Sequence, residues 1–246
     1  MPHPTIALAA ALGLACAGRA SAAPATCSAH ADGERPHLVE LYTSEGCSSC
    51  PPAERWLSTL RDKPGYAPLE FHVDYWDSAD WHDPYSDARY TARQKAAAAH
   101  ALRGRIYTPQ VYVDGRAWKN WPKAPPPQPP DARGVPLTLE LEVGDTVHAR
   151  TRTTAADGGE YRAYVAVTEN GLANAITGGE NRGETLAHDH VVRAFAGPFP
   201  PGEANAELAL PAGVQREHAH VVAFVQDARN GDVVQVVRVP LAQCGR

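Results

Sequence analysis

The chain has 246 residues, 43% of them hydrophobic and 21% charged, with 23 Lys and Arg against 28 Asp and Glu and a formal net charge of -5. Such a composition describes a folded globular protein of one large or two small domains and excludes a disordered chain. The mild acidity offers nothing to nucleic acid or an anionic membrane surface, and no apolar run beyond the N-terminus approaches membrane-spanning length.

Residues 1–22 read as a signal peptide. Ile6 to Ala17 is an apolar core and Ala20-Ser21-Ala22 supplies small residues at a cleavage position, although the segment before the core carries His3 and no Lys or Arg. Cys16 is not expected to be lipidated, because Gly13-Leu14-Ala15 lacks a large aliphatic residue three places upstream of it. The expected location is therefore periplasmic or secreted, with no membrane insertion after signal removal. Cys27, Cys47, Cys50 and Cys244 would remain in a compartment where disulfides persist. Cys27 and Cys244 stand near the two ends and could form a structural disulfide; two unpaired thiols or an intermolecular bond are the alternatives.

Leu38 to Tyr42 is a strand-like apolar run leading through Ser44 and Gly46 into Cys47-Ser48-Ser49-Cys50. Pro51 and Pro52 then suit the first turn of a helix reaching about Leu60, where a missing N–H costs nothing. A Cys-x-x-Cys at a helix start has a chemical logic: free N–H groups and the positive dipole end favour a thiolate, and two intervening residues let the second sulfur close on the first. Zinc ligation would need two further ligands, and Cys27 and Cys244 are too scattered to suggest them.

Lys63-Pro64-Gly65 stops the helix, and Leu69 to Asp74 alternates as a strand. Tyr75 to Tyr85 is an aromatic and acidic loop. Thr91 to Arg103 predicts a helix ended by Gly104. Ile106 to Arg116 predicts strand, Asp-Gly turn and strand, with Pro109 at an edge or cis.

This order resembles the thioredoxin fold. The resemblance implies that Pro109 is the cis-proline beside the cysteine pair, that Thr108 is the variable residue before it, and that Glu40 stands for the buried acid assisting the second cysteine. Val39 to Ala53, then His72-Val-Asp-Tyr-Trp-Asp77, then Tyr107-Thr-Pro-Gln-Val-Tyr-Val-Asp-Gly-Arg116 are similar to the DUF1223 family of exported bacterial proteins. The similarity extends through Gly179-Glu-Asn-Arg-Gly183 and His188 to Arg193, covering most of the mature chain.

Trp118 to Pro130 is too rich in proline for a closing helix. From Val135 the chain alternates throughout: Leu137 to Val143 and Thr146 to Thr153 form a hairpin pattern, and Tyr161–Thr168, His190–Phe195, Ala206–Leu210, His220–Gln226 and Val233–Val239 supply further strands. The expected fold class is an α/β thioredoxin-like domain (23–120), a Pro-rich linker (121–134) and an all-β sandwich domain (135–246).

The expected function is thiol–disulfide exchange on protein or small-molecule thiols and disulfides by a monomer. Cys47 attacks and Cys50 resolves; Pro109 and Glu40 complete the catalytic set, and Thr108, Trp76 and Tyr75 line the substrate groove. No cofactor or metal is required. The alternative is a non-enzymatic binding or assembly protein with a structural Cys47–Cys50 disulfide. A metal site at His188, His190, His218 and His220 would require their two strands to be neighbours, whereas solvent-facing histidines would not. Glu180, Asn181 and Arg182 form either a binding loop or a structural turn.

Overall fold

The computed structural model describes residues 25–124, 126, 134–154 and 158–245. The expected signal peptide at 1–22 lies outside the described residues, as does most of the proline-rich stretch 121–134.

The first half contains β1 (Ala25–Ala31), β2 (His37–Thr43), α1 (Pro51–Ser58), β3 (Tyr66–His72), α2 (Ala88–Ala101), β4 (Gln110–Val113) and β5 (Arg116–Ala117). A single 3-10 turn, Asp74–Trp76, precedes α2. The second half is built of β6 (Leu137–Val143), β7 (Thr146–Thr153), β8 (Tyr161–Glu169), β9 (Leu172–Ala175), β10 (Thr185–His188), β11 (Val191–Phe199), β12 (Gly202–Ala209), β13 (Ala219–Asp227) and β14 (Val233–Pro240).

Local chemistry explains the boundaries. Cys50 is the residue before α1 and prolines fill its first turn. Asp87 caps α2 by accepting the Arg89 N–H at 2.8 Å. Pro109 has no N–H to give a ladder, and β4 starts only at Gln110. The β4–β5 turn places Asp114 and Gly115 at φ 51° and 82°, the left-handed pair that a tight hairpin requires. Gly115 is doubly constrained, because a Cβ there would lie 1.9 Å from the Gly231 carbonyl oxygen.

The strands form an eight-stranded sheet in the order β14-β13-β8-β11-β3-β2-β4-β5, a four-stranded sheet β1-β6-β7-β12, and the β9–β10 ribbon. This arrangement overturns the expected fold class. Fourteen strands accompany only two α-helices among the described residues, and no separate α/β thioredoxin-like domain stands beside a sandwich. Strands from both halves instead share one continuous sheet. The seam is the parallel contact of β11 with β3, where Val191 pairs with Glu70, and the Glu70 N–H donates to the His190 carbonyl at 2.8 Å.

Three cores follow from strand alternation. Leu137, Leu139, Leu141 and Val147 of the four-stranded sheet pack against Val165, Val167, Val221 and Val225, which makes the β-sandwich. Leu38, Tyr42, Phe71 and Phe224 pack beneath Tyr90 and Ala97 of α2. Val39, Leu41, Val111 and Val113 pack beneath Ala53 and Leu57 of α1, with Trp56, Trp118 and Trp121 around them. Cys27 and Cys244 form a disulfide, Cα atoms 4.7 Å apart, that ties β1 to the C-terminal end.

Candidate functional site

Cys47 and Cys50 are joined as a disulfide at the start of α1. The Ala53 N–H donates to the Cys50 carbonyl at 2.8 Å, which begins the helical turn. Both cysteines are fully buried, while Ser48 and Ser49 between them are exposed.

Thr108, next to the cis Thr108–Pro109 bond, donates its hydroxyl to Cys47 Sγ at 3.3 Å. Trp76 Nε1 in turn donates to Thr108 Oγ1 at 2.7 Å. A hydroxyl has one proton; with its oxygen accepting from the indole, that proton is directed at the sulfur. Tyr75, 42% exposed, stands beside Trp76 in the same 3-10 turn. The structure therefore gathers Cys47, Cys50, Thr108, Pro109, Trp76 and Tyr75 in one place.

Glu40 is elsewhere. Val39 and Leu41 point under α1, so Glu40 between them faces α2. There it accepts from Arg93 Nε at 2.9 Å and Arg93 Nη2 at 3.2 Å.

The loop 178–183 closes over the cysteine turn. Ser48 donates both its N–H and its hydroxyl to Glu180 Oε2, at 3.0 and 2.7 Å. Buried Asn181 donates to the Glu45 and Cys47 carbonyls at 2.8 and 3.1 Å. Gly178 lets the same loop lie against the Asp80–Trp81 segment, since a Cβ there would lie 2.0 Å from the Asp80 carbonyl oxygen. Asn181→Ala takes the side-chain donor from the buried Glu45 carbonyl, while the Cys47 carbonyl keeps the Cys50 N–H at 3.1 Å, and is expected to cost about 1–3 kcal/mol. Urea denaturation measures that loss, and the reduced Cys47 thiol should alkylate faster in the variant.

Beside α1 lies a cluster that alternation alone did not indicate. Glu70 and His72 point from one face of β3, where Glu54 of α1, Glu45, Asp83 and His188 meet them; all six are at most 1% exposed. His72 Nδ1 lies 2.7 Å from Asp83 Oδ2 and its Nε2 lies 3.0 Å from Glu70 Oε1. His188 Nδ1 lies 3.0 Å from the same Glu70 oxygen, and its Nε2 lies 3.1 Å from Glu45 Oε1. Burial pushes the Glu54 carboxyl up to about 7, with the Glu70 charge adding to it. Burial alone would lower His188, but its bonds to Glu45 and Glu70 hold it at about 10.

The condition for a metal site at the four histidines is not met, since β11, which follows His190, and β13, which bears His220, are separated by β8. The chain turns at Asp189 and His190, the latter at φ 64°, so His188 enters the acidic cluster. His190 is buried apart, with neither ring nitrogen bonded. His218 is exposed, and His220 pairs with Arg238 at 3.1 Å.

Fold and site define a β-sandwich protein with a helix-capped Cys-x-x-Cys disulfide beneath a glycine-flanked loop. The chain belongs to the DUF1223 family, described as proteins of unknown function, which it matches over residues 38–226. It is similar to a crystal structure of a structural-genomics target from Agrobacterium tumefaciens, at 22% identity and a TM-score of 0.56, covering 82% of this chain and 93% of that one. It is also similar to HBP35 of Porphyromonas gingivalis, at 14% identity and a TM-score of 0.60, covering 87% of this chain and 78% of that one. At these identities both likenesses concern the fold alone. No curated protein matches the chain.

Proposed function

We propose that the protein is an exported thiol–disulfide exchange protein acting on protein or small-molecule thiols and disulfides as a monomer. The observation that carries this reading is the Thr108 hydroxyl donated to Cys47 Sγ at a helix start. Both features stabilise a thiolate on Cys47 once the bridge is reduced. The Cys47 thiolate attacks a substrate disulfide, forming a mixed disulfide and expelling one substrate thiolate. The Cys50 thiolate then attacks Cys47 Sγ, re-forming Cys47–Cys50 and expelling the second substrate thiolate. Two electrons pass to the substrate; the reverse sequence oxidises a dithiol. Loop 178–183 must lift from the cysteine turn for either direction. Residence outside the cytosol suits a protein with two disulfides.

The complete burial of both sulfurs favours a second reading, a binding or assembly protein whose Cys47–Cys50 bond is a local staple.

Titration in glutathione buffers, with alkylated cysteines read by mass spectrometry and Cys47→Ser as control, separates the two. Exchange predicts that Cys47–Cys50 titrates between about -270 and -120 mV, and that Cys47 alkylates rapidly below neutral pH. Cys27–Cys244 should resist reduction to below about -300 mV. If both bridges resist together, the exchange reading fails and the staple stands.

A further inference from the structure

We propose that Glu70, His72 and His188 form a site for one divalent first-row transition-metal ion beneath the Cys47–Cys50 turn.

The two imidazoles aim one nitrogen each at a single carboxylate oxygen, Glu70 Oε1, from 3.0 Å on either side. The ligand atoms of the three residues all lie within 4.8 Å of one another. Donors bound to one tetrahedral ion at about 2.0–2.2 Å sit about 3.4 Å apart, so the two 3.0 Å nitrogen–oxygen separations need open by only a few tenths of an ångström and the two rings need close on each other from at most 4.8 Å. The far nitrogen of each ring is already fixed by a second carboxylate, Asp83 for His72 and Glu45 for His188. That is the outer arrangement which orients metal-bound histidines and sets their tautomer. Asp83 is itself held by the Glu45 and Tyr85 N–H groups at 2.8 and 2.9 Å.

A second, independent observation points to a cation. Glu70 Oε2 and Glu45 Oε2 are buried without any hydrogen-bond partner, although both residues are fully buried. Native proteins seldom leave such atoms unsatisfied. Four carboxylates (Glu45, Glu54, Glu70, Asp83) surround two imidazoles, a donor set and charge excess that suit a dication. Imidazole with carboxylate favours zinc, iron(II) or manganese(II) over calcium. Glu54 Oε2, 3.6 Å from His188 Nδ1, stands beside the remaining coordination position.

Stripped protein would be titrated with Zn2+ and Co2+, then desalted and analysed by inductively coupled plasma mass spectrometry. One equivalent should be retained, with a higher melting temperature and a visible Co2+ spectrum of nitrogen–oxygen type lacking thiolate charge transfer. Glu70→Gln should abolish retention. Asp83→Asn, which only loosens His72, should weaken it by roughly 10–100-fold. Circular dichroism checks that the variants fold, and the wild-type Co2+ spectrum decides the matter where they do not. No retained ion, a thiolate band, or equal retention by a folded His72→Ala/His188→Ala variant would overturn the site.

Discussion

Replacing Arg93 by alanine is expected to destabilise the protein by about 3–5 kcal/mol, the cost of leaving a buried charge without its partner. The Arg93 side chain is 4% exposed and that of Glu40 1%. The guanidinium also donates to Gln226 Oε1 at 2.7 Å and lies 4.7 Å from the Tyr164 ring centre and 5.2 Å from that of Phe224. Without it, Glu40 keeps only the Tyr42 hydroxyl, at 3.0 Å. Chemical denaturation reads the loss, and adding Glu40→Leu should recover much of it by removing the stranded carboxylate. A loss below about 1 kcal/mol would show that water reaches Glu40. The folded Glu40→Gln protein should titrate its Cys47–Cys50 bond normally, since Glu40 faces away from α1.

Removing the Cys27–Cys244 bridge, as Cys27→Ala/Cys244→Ala, is expected to cost about 5 kcal/mol on the chain-entropy account. The bridge spans a sequence separation of 217, against 3 for Cys47–Cys50. Releasing the short loop should therefore change stability far less, and paired urea curves for the two double variants test that ordering. Equal losses would mean that denatured-state entropy is not what the long bridge restrains.

Much of the element order is legible in the sequence. Turn residues and alternation place β2, α1, α2, the Asp114-Gly115 turn and the β6–β7 hairpin. What they cannot supply is the partner of each strand. His190 to Phe195 reads as a sandwich strand, yet β11 joins β3, because hydrogen-bond pairing across more than a hundred residues leaves no trace in local periodicity. Alternation also misleads at β3: Glu70 and His72 occupy what looks like a wet face, which α1 and the β9–β10 ribbon cover. Two signals were available, Glu70 with His72 two apart and Glu54 four after Cys50, each pair sharing a face. Neither suffices without His188, which only the folded chain delivers.

The β3–β11 seam has a consequence for how this chain can be cut or recombined. Residues 25–124 alone would strip β3 of its bridge to β11, leaving the Glu70 N–H without the His190 carbonyl and β3 as an open sheet edge of the kind that templates aggregation. Phe71 would lose Phe195, its ring neighbour at 5.4 Å, Arg93 would lose Gln226, and Glu70 and Glu45 would lose His188. The cysteine-bearing half is therefore not a transplantable module. Gene fusions, truncations and fragment screens built on this protein should carry the whole sheet as their smallest heritable unit.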